Sequence, residues 1–182
     1  NEQIERMDEI VRYQLRKPAA SAADNLVLGP VPVEQEVERL VSGLGKVYHD
    51  KQPTIDSDVS PGLTFRGDRG DFLELAGNLL DNACKWCAGR VSITVQPSAS
   101  ARGVTGGMRL TVDDDGPGIP DEAAEALLER GTRLDEATPG HGIGLAIVRD
   151  IAASYGGTLT IERSALGGAK ITVDIPQAAS GR

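Results

Sequence analysis

Asp71-Phe-Leu-Glu-Leu-Ala-Gly-Asn78-Leu-Leu-Asp-Asn82-Ala-Cys-Lys85-Trp-Cys87 is the stretch that decides the fold of this chain. Its apolar residues recur at helical spacing and would bury one side of an amphipathic helix. Asn78, Asn82 and Lys85 fall on the other side, within a wedge of roughly 60° at about 100° per residue. Asparagine inside a helix costs up to about 0.7 kcal/mol relative to alanine, so this polar face requires a reason. Two amide oxygens and an ammonium group suit a hard cation and the phosphates that it carries.

The composition excludes several classes of protein. The chain has 182 residues, enough for one domain with or without an appendage. Hydrophobic residues make up 40% and aromatic residues only 3%, which predicts an aliphatic core. The net charge of −8 and the lack of a long basic run argue against a nucleic-acid partner. No apolar stretch approaches the roughly 18 residues that span a bilayer, so we expect no direct membrane contact, and no signal peptide is evident.

The first 32 residues differ in character from the rest. Residues 2–17 carry a narrow apolar stripe at helical spacing. This stripe indicates a coiled-coil or bundle partner, although a loosely docked terminal helix would explain it equally well. Residues 18–32 contain many helix breakers, which predicts a linker. We therefore expect a remnant helix at 1–17, this linker, a main domain at 33–177 and a tail at 178–182, in a fragment of a longer protein.

Hydrophobic periodicity predicts alternating helices and strands in the main domain. The predicted helices are Val33–Lys51, Asp71–Cys87, Asp121–Glu129 and Gly142–Tyr155. The predicted strands are Thr54–Val59, Leu63–Gly67, Val91–Val95, Met108–Val112, Thr158–Arg163 and Ala169–Ile175. The third and fourth strands would form a hairpin across a loop at 97–107, and 131–140 would be a mobile loop. This order predicts an α/β (α+β) two-layer sandwich, with a mixed sheet and helices on one face.

Asp114-x-Gly116-x-Gly118 follows the fourth strand. The two glycines allow close backbone approach, and a carboxylate fixed at such a turn can accept a hydrogen bond from an amino group such as that of adenine. The alternative is an acidic turn in which Asp113 and Asp115 are simply solvated. A calcium loop is disfavoured because the EF-hand spacing and its final glutamate are missing.

Gly140-His-Gly142-Ile-Gly144-Leu145 opens the last predicted helix. Each glycine inside a helix costs about 0.8–1.0 kcal/mol against alanine. Exposed N–H groups at a helix N-terminus attract phosphate oxygens, which gives the glycines a purpose, although a flexible hinge is the alternative. The pattern matches neither the Rossmann nor the P-loop motif. Arg133, in the preceding loop, could reach a γ-phosphate or could be an ordinary surface residue.

Trp86, Cys84 and Cys87 follow the asparagine face. Trp86 lies about 80° round the helix from Asn78, where it could cover an adenine or belong to the core. The two cysteines could form a redox pair, but no strand-to-helix turn precedes them to activate a thiolate. We expect them to be structural thiols in a reducing compartment. Zinc binding is disfavoured because the sequence has no further cysteine and its two histidines are distant in sequence.

In this order the motifs resemble the N, G1, F and G2 boxes of sensor histidine kinases, members of the Bergerat-fold (GHKL) ATPase superfamily. The F-box position is occupied by Leu127–Arg133, and residues 2–17 resemble the second helix of a dimerisation domain. The run from Asn78 to Cys87, together with Leu44–Tyr48 and Leu166–Lys170, is most similar to PhoQ-type sensor kinases.

This resemblance implies ATP and Mg²⁺ as cofactors and assigns roles to individual residues. Asn82 would be the principal metal ligand and Asn78 a second, while Lys85 and Arg133 would contact phosphates. The catalytic group would therefore be Asn82, Lys85 and Arg133. The nucleotide would also contact Asn78, Trp86, Asp114, Gly116, Gly118, Ile119, His141, Gly142, Gly144 and Leu145.

Three positions depart from the family pattern. Neither His49 nor His141 lies in a His-Glu-Leu-type box, so this chain should bind ATP without phosphorylating itself. Thr138 stands where PhoQ-like kinases carry an arginine near the phosphates. His141 replaces a glutamine, although its imidazole could still approach a phosphate.

The implied function is the catalytic region of a two-component sensor histidine kinase. It would pass the γ-phosphoryl group to a histidine on a separate helix and thence to a response regulator. The full-length protein would be a homodimer, with this region on the cytoplasmic side of a bacterial inner membrane. The alternatives are a GHKL-type ATPase clamp, which would need a glutamate where Asn78 stands, and a non-catalytic interaction module.

Overall fold

The computed structural model describes residues 29–99, 105–128 and 142–176. These residues form seven strands and four helices. The strands are β1 (Val31–Pro32), β2 (Thr54–Val59), β3 (Thr64–Phe65), β4 (Arg90–Ala99), β5 (Thr105–Asp114), β6 (Thr158–Arg163) and β7 (Ala169–Ile175). The helices are α1 (Val33–Val47), α2 (Arg69–Trp86), α3 (Asp121–Leu128) and α4 (Gly142–Ser154).

Five strands form one mixed sheet in the order β2-β4-β5-β7-β6. Strand β2 runs parallel to β4, and the other neighbours are antiparallel. The β4–β5 hairpin pairs Ile93 with Val112, and β7 continues that row by pairing Ile171 with Val112. Strands β1 and β3 form a separate two-stranded sheet.

Side chains alternate between the two faces of the main sheet. The inward residues of the three central strands are buried: Val91, Ile93, Val95, Met108, Leu110, Val112, Ile171, Val173 and Ile175. The opposite face carries residues such as Thr94, Thr111 and Thr172, which remain partly exposed. Because the helices cover only the apolar face, the predicted two-layer α/β sandwich is confirmed.

Helix α2 contributes most to the helical layer. One side of it is withdrawn from water along its length, through Phe72, Leu75, Ala76, Leu79, Leu80, Ala83 and Cys84. Each large apolar side chain buried in this way contributes roughly 1.5–3 kcal/mol. The helix begins at a cap in which the Asp68 carboxylate accepts a bond from the Asp71 N–H at 3.1 Å. Because the apolar side of the helix is buried, its polar face must point away from the core.

A buried carboxylate joins α1 to the start of α2. Glu36 is only 2% exposed and accepts two bonds from the Arg69 guanidinium, at 2.9 and 2.8 Å. Arg39 donates a further bond at 3.1 Å. These partners, Arg69 foremost, hold the pKa of Glu36 below its ordinary value.

The sequence-based boundaries differ from the structure in three places. Helix α1 ends at Val47 instead of Lys51, because the Lys51 and Gln52 N–H groups bond back to the Tyr48 carbonyl in a turn. The apolar periodicity of the predicted helix Val33–Lys51 includes Val47, but this residue is 69% exposed in the structure. The strand predicted at Leu63–Gly67 shrinks to β3, whose partner β1 uses Val31 and Pro32, residues assigned to the linker.

The remaining elements follow the predictions closely. Strands β6 and β7 have the predicted bounds, and β4 and β5 form the predicted hairpin but extend further into the loop at 97–107. The predicted helix at 2–17, most of the linker, the whole 131–140 loop and the 178–182 tail lie outside the described residues. Within the described ranges, none of the helices has the length and apolar character needed to cross a bilayer.

Glu36→Gln is expected to lower the melting temperature by roughly 5 °C at pH 7, because the substitution weakens three charge-assisted hydrogen bonds. The pKa of Glu36 is lowered in the folded state, so its contribution is present above pH 4.5 and is lost as the pH falls through the folded pKa. The difference between wild type and variant should therefore narrow in thermal melts below pH 4.5. Glu38→Gln, at an exposed site on the same helix, is the control, and an equal effect of both substitutions would contradict this account.

Candidate functional site

A cleft opens between α2, the end of β5 and the start of α4. It is partly open to solvent. The lining residues are Leu79, Asn82, Ala83, Trp86, Val112, Asp114, Gly118, Ile119, Leu145, Ala169 and Ile171. Apart from the Trp86 indole, the only polar side chains among the described lining residues are those of Asn82 and Asp114. An apolar slot with two such groups fits a flat heteroaromatic ring that is recognised at one edge.

Asp114 is the carboxylate at the floor of this cleft and is only 7% exposed. Its Oδ1 accepts bonds from the Gly116 N–H at 2.8 Å and the Ala169 N–H at 3.3 Å. Burial raises the pKa of Asp114, and the two backbone donors partly oppose that rise. With Oδ1 engaged, Oδ2 remains available as an acceptor for a ligand N–H group.

Close backbone contacts explain the glycines around Asp114. A Cβ at Gly116 would overlap the Trp86 carbonyl, and one at Gly168 would overlap the Asp114 carboxylate. Gly118 adopts a φ of +81°, and Arg163 donates to the neighbouring Pro117 carbonyl at 2.9 Å across this turn. The glycine spacing that predicted close approach therefore has a structural reason before any ligand binds.

The asparagine face of α2 turns towards the start of α4. Asn78 Nδ2 donates to the Glu74 carbonyl at 2.6 Å, which leaves Oδ1 directed away from the helix backbone. Asn82 Nδ2 is buried and has no hydrogen-bond partner among the described residues. An unsatisfied buried amide costs about 1–3 kcal/mol, so this side chain is poised for a ligand.

These asparagines fit a metal that arrives with its nucleotide. A half-turn of the Asn82 carboxamide exchanges Oδ1 and Nδ2 without changing its shape, so either atom can face the cleft. Among the described residues, no group of three or more His, Cys, Asp or Glu could hold an ion alone. Magnesium accepts amide oxygens, keeps several waters and takes further ligands from phosphates, which suits this sparse donor set.

Helix α4 begins at Gly142, as predicted, and its third residue is Gly144. A Cβ on Gly144 would lie 3.1 Å from Asn78 Oδ1 and 3.4 Å from Asn82 Nδ2. Leu145, next along, is buried in the core. Gly144 therefore lets the helix N-terminus approach both asparagines closely, and this brings its N–H groups to the same end of the cleft.

The two remaining predicted contacts on α2 lie at its end. Trp86 is half-buried and lines the cleft. Lys85 is exposed, and its Nζ lies 5.5 Å from the centre of the Trp86 ring. The Lys51 Nζ donates to the Cys84 and Lys85 carbonyls at 2.8 Å each and so satisfies the helix end. The structure brings together Asn78, Asn82, Trp86, Asp114, Gly116, Gly118, Ile119, Gly144 and Leu145, while Arg133, Thr138 and His141 lie outside the described residues.

Some structural residues were not anticipated from the sequence. Asp113 and Asp115 are not simply solvated: Asp113 accepts a bond from the Ser164 hydroxyl, and Asp115 accepts three backbone bonds. Gly168 and Ala169 hold Asp114 from the β6–β7 turn. The sequence shows the glycine pair before β7 but not its partner in space. Gly168 donates a hydrogen bond to the carbonyl of Asp114, which lies 54 positions earlier in the chain.

The thiols carry no sign of redox chemistry. Cys84 and Cys87 are both buried and free. Burial raises the pKa of Cys84 to about 12 and also raises that of Cys87. Thiols in this state are poor nucleophiles, so the structural interpretation is favoured over the redox pair.

Gly144→Ala is expected to give no gain in stability, because the added methyl group must displace the Asn78 and Asn82 amides. Gly43→Ala is the matched control, since a Cβ there meets nothing within 4 Å in the exposed part of α1. That control should stabilise the fold by up to about 1 kcal/mol through helix propensity alone. Urea unfolding of both variants measures the difference, and an equal gain at Gly144 would show that α4 does not pack against the asparagines.

Comparisons with known proteins agree with this geometry. A family model described as histidine kinase-, DNA gyrase B-, and HSP90-like ATPase matches residues 67–179. The sensor protein kinase CarS of Pseudomonas aeruginosa is 43% identical over 181 residues, which cover 100% of this chain and 39% of CarS. The sensor protein PhoQ of Escherichia coli strain K12 is 40% identical over 172 residues, which cover 94% of this chain and 34% of PhoQ.

A solved structure, full-length ShkA in complex with AMPPNP, superposes with a TM-score of 0.72 at 28% identity. The match covers 96% of this chain and 36% of ShkA. The chain thus spans well under half the length of the curated relatives that it matches. On its fold, its cleft and the family match, this chain belongs to the family of histidine kinase-, DNA gyrase B- and HSP90-like ATPases.

Proposed function

We propose that this chain is the ATP-binding catalytic region of a two-component sensor histidine kinase. The observation that carries the proposal is the placement of a buried carboxylate, Asp114, and a buried amide, Asn82, in one apolar cleft. The similarity to CarS and PhoQ, both named as sensor proteins, supports a kinase, and the AMPPNP complex of ShkA supports the nucleotide.

Adenine fits the apolar end of the cleft. Asp114 Oδ2 would accept a bond from the 6-amino group, while Ile119 and Trp86 would contact the ring. In guanine the same position carries a 6-oxo group, an acceptor that cannot donate a bond to Asp114, and this disfavours guanine. Leaving a buried acceptor unmatched costs about 1–3 kcal/mol, so discrimination of about tenfold or more is expected.

The phosphates would lie at the other end, beside α4. The Asn82 and Asn78 oxygens would hold Mg²⁺, which when bound neutralises charge on the phosphates. Gly142 and Gly144 would present N–H groups of the helix N-terminus, and Lys85 could turn from Trp86 to reach a phosphate. Arg133 and His141 are further proposed phosphate contacts.

The same residues favour transfer over hydrolysis. Asn78 stands where ATPase clamps of this superfamily place a water-activating glutamate, and an amide cannot take a proton from water. Of the described residues, Asp114 is the only acid that lines the cleft, and its Oδ1 is held by two backbone N–H groups at the base end. The protein's part is therefore positioning and charge neutralisation, as in other phosphoryl transfers.

The partners follow from the proposed reaction. The γ-phosphoryl group would pass to a histidine on a separate helix and then to an aspartate of a response regulator. In the full-length protein we propose a homodimer through dimerisation helices, with this region on the cytoplasmic side of a bacterial inner membrane.

Nucleotide binding is tested first. Trp86 is the only tryptophan of the chain and lines the cleft, so its fluorescence should report binding of AMPPNP with a dependence on Mg²⁺. Asn82→Ala should weaken Mg²⁺-dependent binding by at least about tenfold, because the main metal ligand is removed. Gln96→Ala removes an exposed amide on the outer strand surface and should behave as wild type. No binding by wild type, or equal affinity of the Asn82 variant, would overturn the proposal.

Phosphoryl transfer is tested separately. Mixed with ATP, Mg²⁺ and a dimerisation fragment that carries the His box of a close relative, the chain should produce phosphate on that fragment that is labile to acid and stable to base. Phosphoserine, or rapid release of free phosphate without labelling, would instead favour the ATPase alternatives.

A further inference from the structure

Asp115 makes an unusual set of contacts beside the cleft. Its Oδ1 accepts backbone hydrogen bonds from Ala88 at 2.8 Å, Gly89 at 3.0 Å and Arg90 at 3.0 Å. Its own N–H donates to the Arg90 carbonyl at 3.2 Å. One side chain therefore satisfies three consecutive N–H groups in the connection between α2 and β4. These bonds also hold the pKa of Asp115 below its ordinary value despite partial desolvation.

The connection that Asp115 holds begins directly after Trp86. Helix α2 ends at Trp86, and Cys87 caps it through a bond to the Ala83 carbonyl. The Trp86 carbonyl packs so closely on Gly116 that a Cβ there would overlap it. Residues 88–90 therefore set where the end of α2, and with it the indole, lies relative to the turn at 114–116.

Asp114 is fixed from the opposite side of the same turn. Its carbonyl accepts a bond from Gly168, and its Oδ1 accepts bonds from Gly116 and Ala169. Adjacent carboxylates thus have different tasks: Asp114 faces the cleft, and Asp115 faces the chain that carries the opposite wall.

We propose that Asp115 is a positioning residue for recognition of the base, one that sets the width of the cleft by tying the end of α2 to the turn that carries Asp114. The proposal rests on the nucleotide-binding function proposed above. It predicts that loss of Asp115 lowers the preference for a base with a 6-amino group, and not only the stability of the fold.

The test compares ADP with IDP, which carries a 6-oxo group in place of the 6-amino group. Wild type should prefer ADP by at least about tenfold. Asp115→Ala should weaken ADP binding by about tenfold and reduce the ADP-to-IDP preference at least about threefold. The reason is that a wider cleft would no longer hold the base within hydrogen-bond distance of Asp114. Asp115→Asn keeps an acceptor oxygen at the same reach and should restore most of the preference. Binding is followed by Trp86 fluorescence.

Asp174→Ala is the control for a purely structural effect. Asp174 accepts bonds from Arg109, at 2.8 Å to Nε, and from the Ser98 hydroxyl, on the sheet face away from the cleft. Its loss should lower the melting temperature without changing the ADP-to-IDP preference. In the absence of nucleotide, acrylamide should quench Trp86 more strongly in the Asp115→Ala variant than in the Asp174→Ala variant.

The outcomes distinguish a failure of the proposed nucleotide-binding function from a failure of the positioning role of Asp115. If wild type binds neither nucleotide, the proposed function fails and not only the role of Asp115. If wild type prefers ADP and Asp115→Ala keeps that preference, or if Asp174→Ala loses it as well, the positioning role is wrong. Should Asp115→Ala fail to fold, Asp115→Ser, whose hydroxyl is too short to reach all three N–H groups, carries the same prediction.

Discussion

The direction of helix α2 is the constraint on which the site depends. Seven of its side chains are withdrawn from water, so the helix cannot rotate about its axis without exposing Phe72 or Leu79. Rotation by one residue, about 100°, would move several large apolar groups into solvent at roughly 1.5–3 kcal/mol each. Asn78 and Asn82 therefore face α4, and Trp86 faces the cleft, whether or not a ligand is present. The hydrophobic core in this way pre-organises the polar face.

Backbone hydrogen bonds hold the turn that carries Asp114 at the second wall of the cleft. Asp114 is held between its own turn and the β6–β7 turn, and Asp115 fastens that turn to the chain after α2. Such charge-assisted bonds to backbone N–H groups are stronger than neutral ones and are short in reach. The two walls thus meet through two adjacent carboxylates, Asp114 and Asp115, of which only Asp114 is aimed at the ligand.

How much of this could be predicted from sequence depends on the range of the interaction. Local periodicity located β6, β7 and the asparagine helix, because burial of one face leaves a regular trace in the chain. The pairing of β1 with β3 and the contact between Gly168 and Asp114 join distant segments, and no local pattern encodes them. Asp115 could not be separated from a solvated acid by sequence alone, because its three partners follow from how the α2–β4 connection lies in space. The sequence likewise explained Gly144 only in part. It predicted a helix N-terminus that binds phosphate, whereas the structure also shows Gly144 in close contact with Asn78.

The central claim is that one cleft reads adenine through Asp114 and holds its metal through Asn82. A crystal structure of the chain with AMPPNP and Mg²⁺ tests it most directly. The account predicts the 6-amino nitrogen at about 2.7–3.2 Å from Asp114 Oδ2 and the Asn82 oxygen at about 2.0–2.1 Å from the metal. A nucleotide bound outside the cleft, or a metal that leaves Asn82 without contact, would contradict it.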